Sequence, residues 1–139
     1  MNIFVDGSYS PQMRVGVGAY IAIDTRKMIE LSELTISQLK NIMEPMIKYF
    51  VFNDTKGSTD VEEKSLILAL QGVNQTELTV SVYTDCQKAK TTQEYNVIHI
   101  KGHAKQMNRT GYEKIFDVID KKVRQRLRRC VKEHRQNNF

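Results

Sequence analysis

Tryptophan is absent, proline and cysteine each occur twice, and no stretch of the 139 residues nears the roughly 18 consecutive apolar positions of a membrane helix. A membrane-spanning chain is therefore not expected. Two cysteines, Cys86 and Cys130, are too few for the disulfide framework of a small secreted scaffold. The opening residues Met1-Asn2-Ile3-Phe4-Val5-Asp6 lack the basic and long apolar regions of a secretory leader, so a reduced, cytoplasmic setting is the expectation. No internal repeat or low-complexity segment is visible. What is present is a 40% hydrophobic composition with mean hydropathy −0.46, which suits one domain spanning residues 1–139 around a single core. The net charge of +5 and pI of about 9.2 favour an acidic partner such as nucleic acid.

Ile3-Phe4-Val5-Asp6 is an apolar run ending in a carboxylate, expected to be a buried strand that stops at Asp6, with Gly7-Ser8 as a turn. Val15 to Ile23 is β-rich, and Gly16 and Gly18 within it would allow close backbone approach. It is expected to hairpin with the first strand. Residues 28–45 are read as an insertion: Met28 to Leu34 fits a strand, and Ser37 to Met43 has helical spacing before Pro45. Met46 to Phe52 predicts the third strand, and about Asp60 to Val73 a helix. Leu78 to Thr84 and Asn96 to Ile100 predict two more strands. From Gly111 onward one long helix is expected, with Tyr112, Ile115, Phe116, Ile119, Val123, Leu127 and Cys130 on its apolar side and residues 130–139 as its end and tail. Strands and helices in this order predict an α/β layer fold, with helices covering a mixed sheet.

Three carboxylates fall where the apolar pattern makes them costly. On a helical wheel Glu62 shares a stripe with Leu66, Ala69 and Val73, so it points toward the core, while Glu63 lies about 100° away toward solvent. Asp6 and Asp85 close apolar strands. A buried ionised carboxylate needs a partner or a metal. Taken singly, each also fits a turn or an early-helix position.

Together the segments resemble a known family. Phe4-Val5-Asp6-Gly7-Ser8, Ser58-Thr59-Asp60-Val61-Glu62, Tyr83-Thr84-Asp85-Cys86-Gln87 and Ile100-Lys101-Gly102-His103-Ala104 look like the successive signatures of type 1 ribonuclease H, in the family's chain order. Val118-Ile119-Asp120-Lys121-Lys122-Val123-Arg124 is similar to its final helix. The resemblance implies a ribonuclease H-like fold, a five-stranded mixed sheet flanked by helices on both faces. It further implies hydrolysis of the RNA strand of RNA–DNA hybrids, with Asp6, Glu62, Asp85 and Asp120 around two Mg²⁺ ions, or Mn²⁺. Asp6 would bridge the ions, with Glu62 and Asp85 on one and Asp120 on the other. Hard oxygen donors suit Mg²⁺, and paired ions suit in-line phosphoryl displacement. His103 would correspond to the family's mobile histidine, which assists proton transfer or product departure. Ser8, Ser58, Thr59 and Gln87 are candidates for contact with the 2′-hydroxyls of the hybrid. Cys86 reads as a small buried residue and not as a nucleophile. The protein is expected to act as a monomer.

Two departures from the family stand out. Only Cys86 to about Tyr95 separates the Asp85 strand from the next, so the family's basic hybrid-binding handle is missing. The extra residues 28–45 and the basic run Lys121, Lys122, Arg124, Arg126, Arg128, Arg129, Lys132 and Arg135 compensate for it, or the basic run is only a solvated face; Arg124 and Arg128 are the substrate-binding candidates. A nucleic-acid-binding module without catalysis and a resolvase- or transposase-like nuclease are the alternative functions. For the fourth acid, helical angles place Asp120 about 70° from the apolar stripe, Glu113 about 90° and Asp117 about 130°. Asp117 is thus expected to face water, and Asp120 to complete the site.

Overall fold

The computed structural model describes residues 1–73, 80–86, 95–100 and 111–137. Strand β1 (Asn2–Ser10) pairs antiparallel with β2 (Val15–Ile23) along its whole length, from Asn2 opposite Ile23 to Ser10 opposite Val15. β1 therefore does not stop at Asp6. Gly7 and Ser8 continue it because they pair with Gly18 and Val17, and the turn comes later, closed by Arg14 in the left-handed region at φ 53°.

After β2, Asp24 accepts a hydrogen bond from the Lys27 amide at 2.7 Å and so caps helix α1 (Thr25–Ser32). A capping box between Thr35 and Gln38 starts α2 (Ile36–Met43). The strand expected over Met28 to Leu34 is thus a helix through Ser32, and the short 3₁₀ turn Glu44–Met46 takes up Pro45. The segment 28–45 contributes to the core, with Met28, Leu31, Leu39 and Met43 buried.

Strand β3 (Lys48–Asn53) pairs antiparallel with β2, and helix α3 (Ser58–Gly72) crosses to β4 (Val80–Thr84) on the far side of β1. β5 (Tyr95–His99) lies parallel to β4, and α4 (Gly111–Asn137) follows. The sheet order is β3-β2-β1-β4-β5, mixed and five-stranded, with helices on both faces. On one face Ile3, Val5 and Tyr20 pack with Ala69 and Val73 of α3. On the other Phe4, Val17 and Ile21 pack with Ile115, Ile119 and Val123 of α4, beneath α1 and α2.

Close approach of α3 to the sheet is set by glycine. A Cβ at Gly16 would lie 2.3 Å from Val61 Cγ2, and one at Gly18 would lie 1.8 Å from Ser65 Oγ. Gly7 of β1 faces Val61 in the same way at 2.9 Å. Seating Val61, Ser65 and Ala69 on this strip makes them the buried row of α3. Glu62 consequently lies on the flank of that row, half-buried, and not in its centre as the Leu66, Ala69 and Val73 stripe suggested. On α4 the buried face also includes Val118, while Tyr112, expected on that face, is 46% exposed.

Overpacking this strip should move α3. Gly16→Ala is expected to cost about 1–3 kcal/mol by urea denaturation. Val61→Ala should cost less in the Gly16→Ala background than in the wild type, because it removes the clashing methyl groups. Equal costs of Val61→Ala in both backgrounds would show that the helix does not rest on Gly16.

Candidate metal centre

Alternation along β1 turns Asp6 to the same face as Phe4, toward α4, near the end of the parallel β1–β4 ladder. Asp85 is the first residue beyond β4, in a turn held by the Cys86 amide donating to Thr84 Oγ1 at 3.1 Å. Glu62 arrives from the first turns of α3, which is pressed down by the glycine strip. Asp60 anchors that end of the helix, accepting from the Lys56 amide at 3.3 Å and from Lys64 Nζ at 3.0 Å. The result is a group of three carboxylates, Asp6, Glu62 and Asp85, each offering an oxygen within 4.8 Å of the other two.

Asp120 joins the group through Asp6, with which it shares a side-chain hydrogen bond. On its other side it accepts an ion pair from Arg124 Nε at 3.3 Å. The pairing with Arg124 and the contact with Asp6 coexist. The angular ranking of the α4 acids needs correction: the Asp117 side chain is 17% exposed against 21% for Asp120, so Asp117 does not face water more directly. Burial of Val118 explains this, because α4 is covered by α1 and α2 as well as by the sheet and its inward face is broad. Asp117 pairs with Lys121 Nζ at 3.1 Å.

Burial, the hydrogen bond with Asp120 and the charges of Asp85 and Asp120 push the Asp6 carboxyl well above the ordinary range, against the Gly7 amide. Asp6 itself is only 4% exposed. Burial and the Asp85 charge raise Glu62 too, opposed by a hydrogen bond with the Cys86 side chain. Two carboxylates about 4.8 Å apart repel by roughly 3 kcal/mol at an effective dielectric of about 20, a load that a divalent cation removes. Four oxygen donors without nitrogen or sulfur fit a hard ion such as Mg²⁺ or Mn²⁺.

Ser58 and Thr59, four and three residues before Glu62, sit one turn away on the same side of α3. Ser8 is two residues past Asp6 and shares its face of β1. Arg128 lies one turn beyond Arg124, its Nε donating to the Arg124 carbonyl at 3.4 Å. Gln87 and His103 lie outside the described residues. The Cys86 contact with Glu62 was not foreseen; its only sequence signal is adjacency to Asp85. No protein-family model matches the chain, and no curated protein matches it in sequence.

Raised carboxyl pKa values make the folded chain bind more protons than the unfolded chain between the ordinary carboxylate range, near 4, and the raised values. The contribution of Asp6 and Glu62 to stability is therefore fully present below pH ~4 and is lost as pH rises through the folded-state values. In EDTA, Asp6→Asn should be more stable than wild type at pH 8, by on the order of 1 kcal/mol, with the gap closing toward pH 4. Millimolar Mg²⁺ should stabilise wild type more than the variant. Urea titrations at several pH values check both; a gap that widens toward acid would show that the cluster is not repulsive.

Proposed function

We propose that the chain is a divalent-metal-dependent nuclease of the ribonuclease H type, hydrolysing the RNA strand of RNA–DNA hybrids. One observation carries it: residues far apart in sequence bring Asp6, Glu62 and Asp85 within 4.8 Å of one another, with Asp120 touching Asp6. Such crowding of acids is costly for stability alone and suited to cations. Asp6 is common to the three-carboxylate group and to the contact with Asp120, so Asp6, Glu62, Asp85 and Asp120 are the residues that would hold the cations. When bound, these ions supply Lewis-acid stabilisation of charge at the phosphoryl group under attack.

The chain's own groups handle the rest. Ser8, Ser58, Thr59 and Gln87 hydrogen-bond sugar hydroxyls and orient the RNA strand, and Arg124 and Arg128 attract its phosphates. His103 assists by giving a proton to the departing oxygen or by aiding product departure. Cys86 holds the Glu62 carboxylate in its ligating position through their hydrogen bond.

Labelled hybrid should be cut with Mg²⁺ or Mn²⁺ and left intact with EDTA, while double-stranded DNA is spared. Asp6→Asn and Asp85→Asn should each lower turnover by at least about a hundredfold, roughly 2.7 kcal/mol of barrier, without unfolding the chain. Asp120→Asn should lower it at least about tenfold, and Asp117→Asn should stay near wild type. Cutting that persists in EDTA, or full activity of Asp85→Asn, would overturn the proposal; a loss confined to Asp117→Asn would move the fourth ligand.

A further inference from the structure

The two elements that meet at Asp6 and Asp120 meet again farther along. Past Asp6, β1 runs to Tyr9 and Ser10 and into the hairpin turn. Past Asp120, α4 presents Arg124, Arg128 and Lys132 at four-residue spacing, with Arg135 three residues on. Between hairpin and helix lies an open groove of about 750 Å³. Tyr9 and Pro11 form one wall, Leu127 and Val131 the apolar side of the other, and Arg128, Lys132 and Arg135 also line it. Among the described residues no acid lines the groove, although the same helix neutralises its cations elsewhere, Lys121 on Asp117 and Lys122 on Glu44 at 2.7 Å.

The hairpin is held in place at this groove. Tyr9 Oη donates to the Thr55 carbonyl at 3.2 Å, and the Arg135 guanidinium donates to Gln12 Oε1 at 3.3 Å. Arg128 and Lys132 are exposed, and neither has a carboxylate partner among the described ion pairs.

We infer that this groove is a second nucleic-acid site, taking backbone phosphates of the same molecule whose scissile phosphate lies at the carboxylate centre. The inference rests on the proposed function for its choice of ligand. Charge complementarity and continuity with the centre favour nucleic acid over an acidic peptide. Along β1, Tyr9 is about 10 Å from Asp6, and along α4, Arg135 is about 22 Å from Asp120. At about 3.4 Å per phosphate along a duplex strand, the groove engages the backbone about three to six nucleotides from the cut. Arg128 and Lys132 bind phosphates, while Leu127, Val131 and Pro11 accept the apolar faces of the sugars. A rim of cations over an apolar floor holds a backbone without reading its sequence.

The test is fluorescence anisotropy of a labelled RNA–DNA hybrid in EDTA across a salt series. It compares wild type, Arg128→Gln/Lys132→Gln, and the control Arg26→Gln/Lys27→Gln on exposed α1. The groove variant should bind about tenfold more weakly, and the slope of log affinity against log salt should fall by about 1.5–2, two phosphate contacts' worth. The control should match wild type, and thermal melts should show both variants folded. Unchanged affinity and slope in the groove variant would overturn the site. Polyglutamate bound as tightly as the hybrid, with the same dependence on Arg128 and Lys132, would overturn nucleic acid as its ligand. Loss of hybrid binding in the variant, alongside wild type that fails to cut hybrid in Mg²⁺, would uphold the groove and refute the nuclease.

Discussion

The seating of α3 on a side-chain-free strip of sheet is the constraint on which the acidic centre depends. Gly7, Gly16 and Gly18 leave no Cβ beneath Val61 and Ser65, so the helix settles nearly onto the strand backbones. That depth brings Glu62, flanking the contact row, beside the strand carrying Asp6 and the turn carrying Asp85. A helix raised by one methyl layer would carry Glu62 away from Asp6 and Asp85. Glycine weakens a strand in entropic terms, and here its loss of packing on one face is what permits the close approach.

The centre itself is electrostatically frustrated. Burial and neighbouring negative charge both oppose ionisation of Asp6, and among the described residues the Gly7 amide opposes them. Stability alone would favour amides or apolar groups at these positions. This local conflict lies in a sheet whose other buried residues are almost entirely apolar, and it is the feature on which the proposed function rests. A divalent cation held by these carboxylates would relieve that conflict.

Helix α4 serves packing and charge at once. Ile115, Ile119 and Val123 fix it on the sheet, and that anchoring gives Asp120 a defined position against Asp6. Farther along, Arg126 stacks over the Tyr49 ring at 4.1 Å and Lys122 pairs with Glu44, tying the helix to β3 and to the 3₁₀ turn. The cations so employed are structural. Those on the hairpin side, Arg128 and Lys132, have no acid partner among the described ion pairs and line the groove between hairpin and helix.

Much of this was legible in the chain itself. The span of β2, the end of β4 just before Asp85 and the start of α4 at Gly111 follow from apolar periodicity and turn residues, and the choice of Asp6, Glu62, Asp85 and Asp120 follows from the order of the family-like motifs, all local signals. Tertiary structure decided the rest. β1 continues through Gly7 to Ser10 because β2 offers it partners, a non-local pairing invisible in a polar, glycine-containing segment. Met28 to Ser32 is helical because Asp24 caps it and Met28 and Leu31 bury against α4, although its few residues fit a strand equally well. The row of α3 that faces the sheet was chosen by the glycine strip and not by the strongest apolar stripe, which moved Glu62 from the core to its edge. Exposure of Asp117 and Asp120 was misjudged because an angle on one helix takes no account of which neighbours cover it. The sequence determined which acids are present and in what order, since both are written in it; only packing decided how near they come, because distance between segments is set by what fills the space between them.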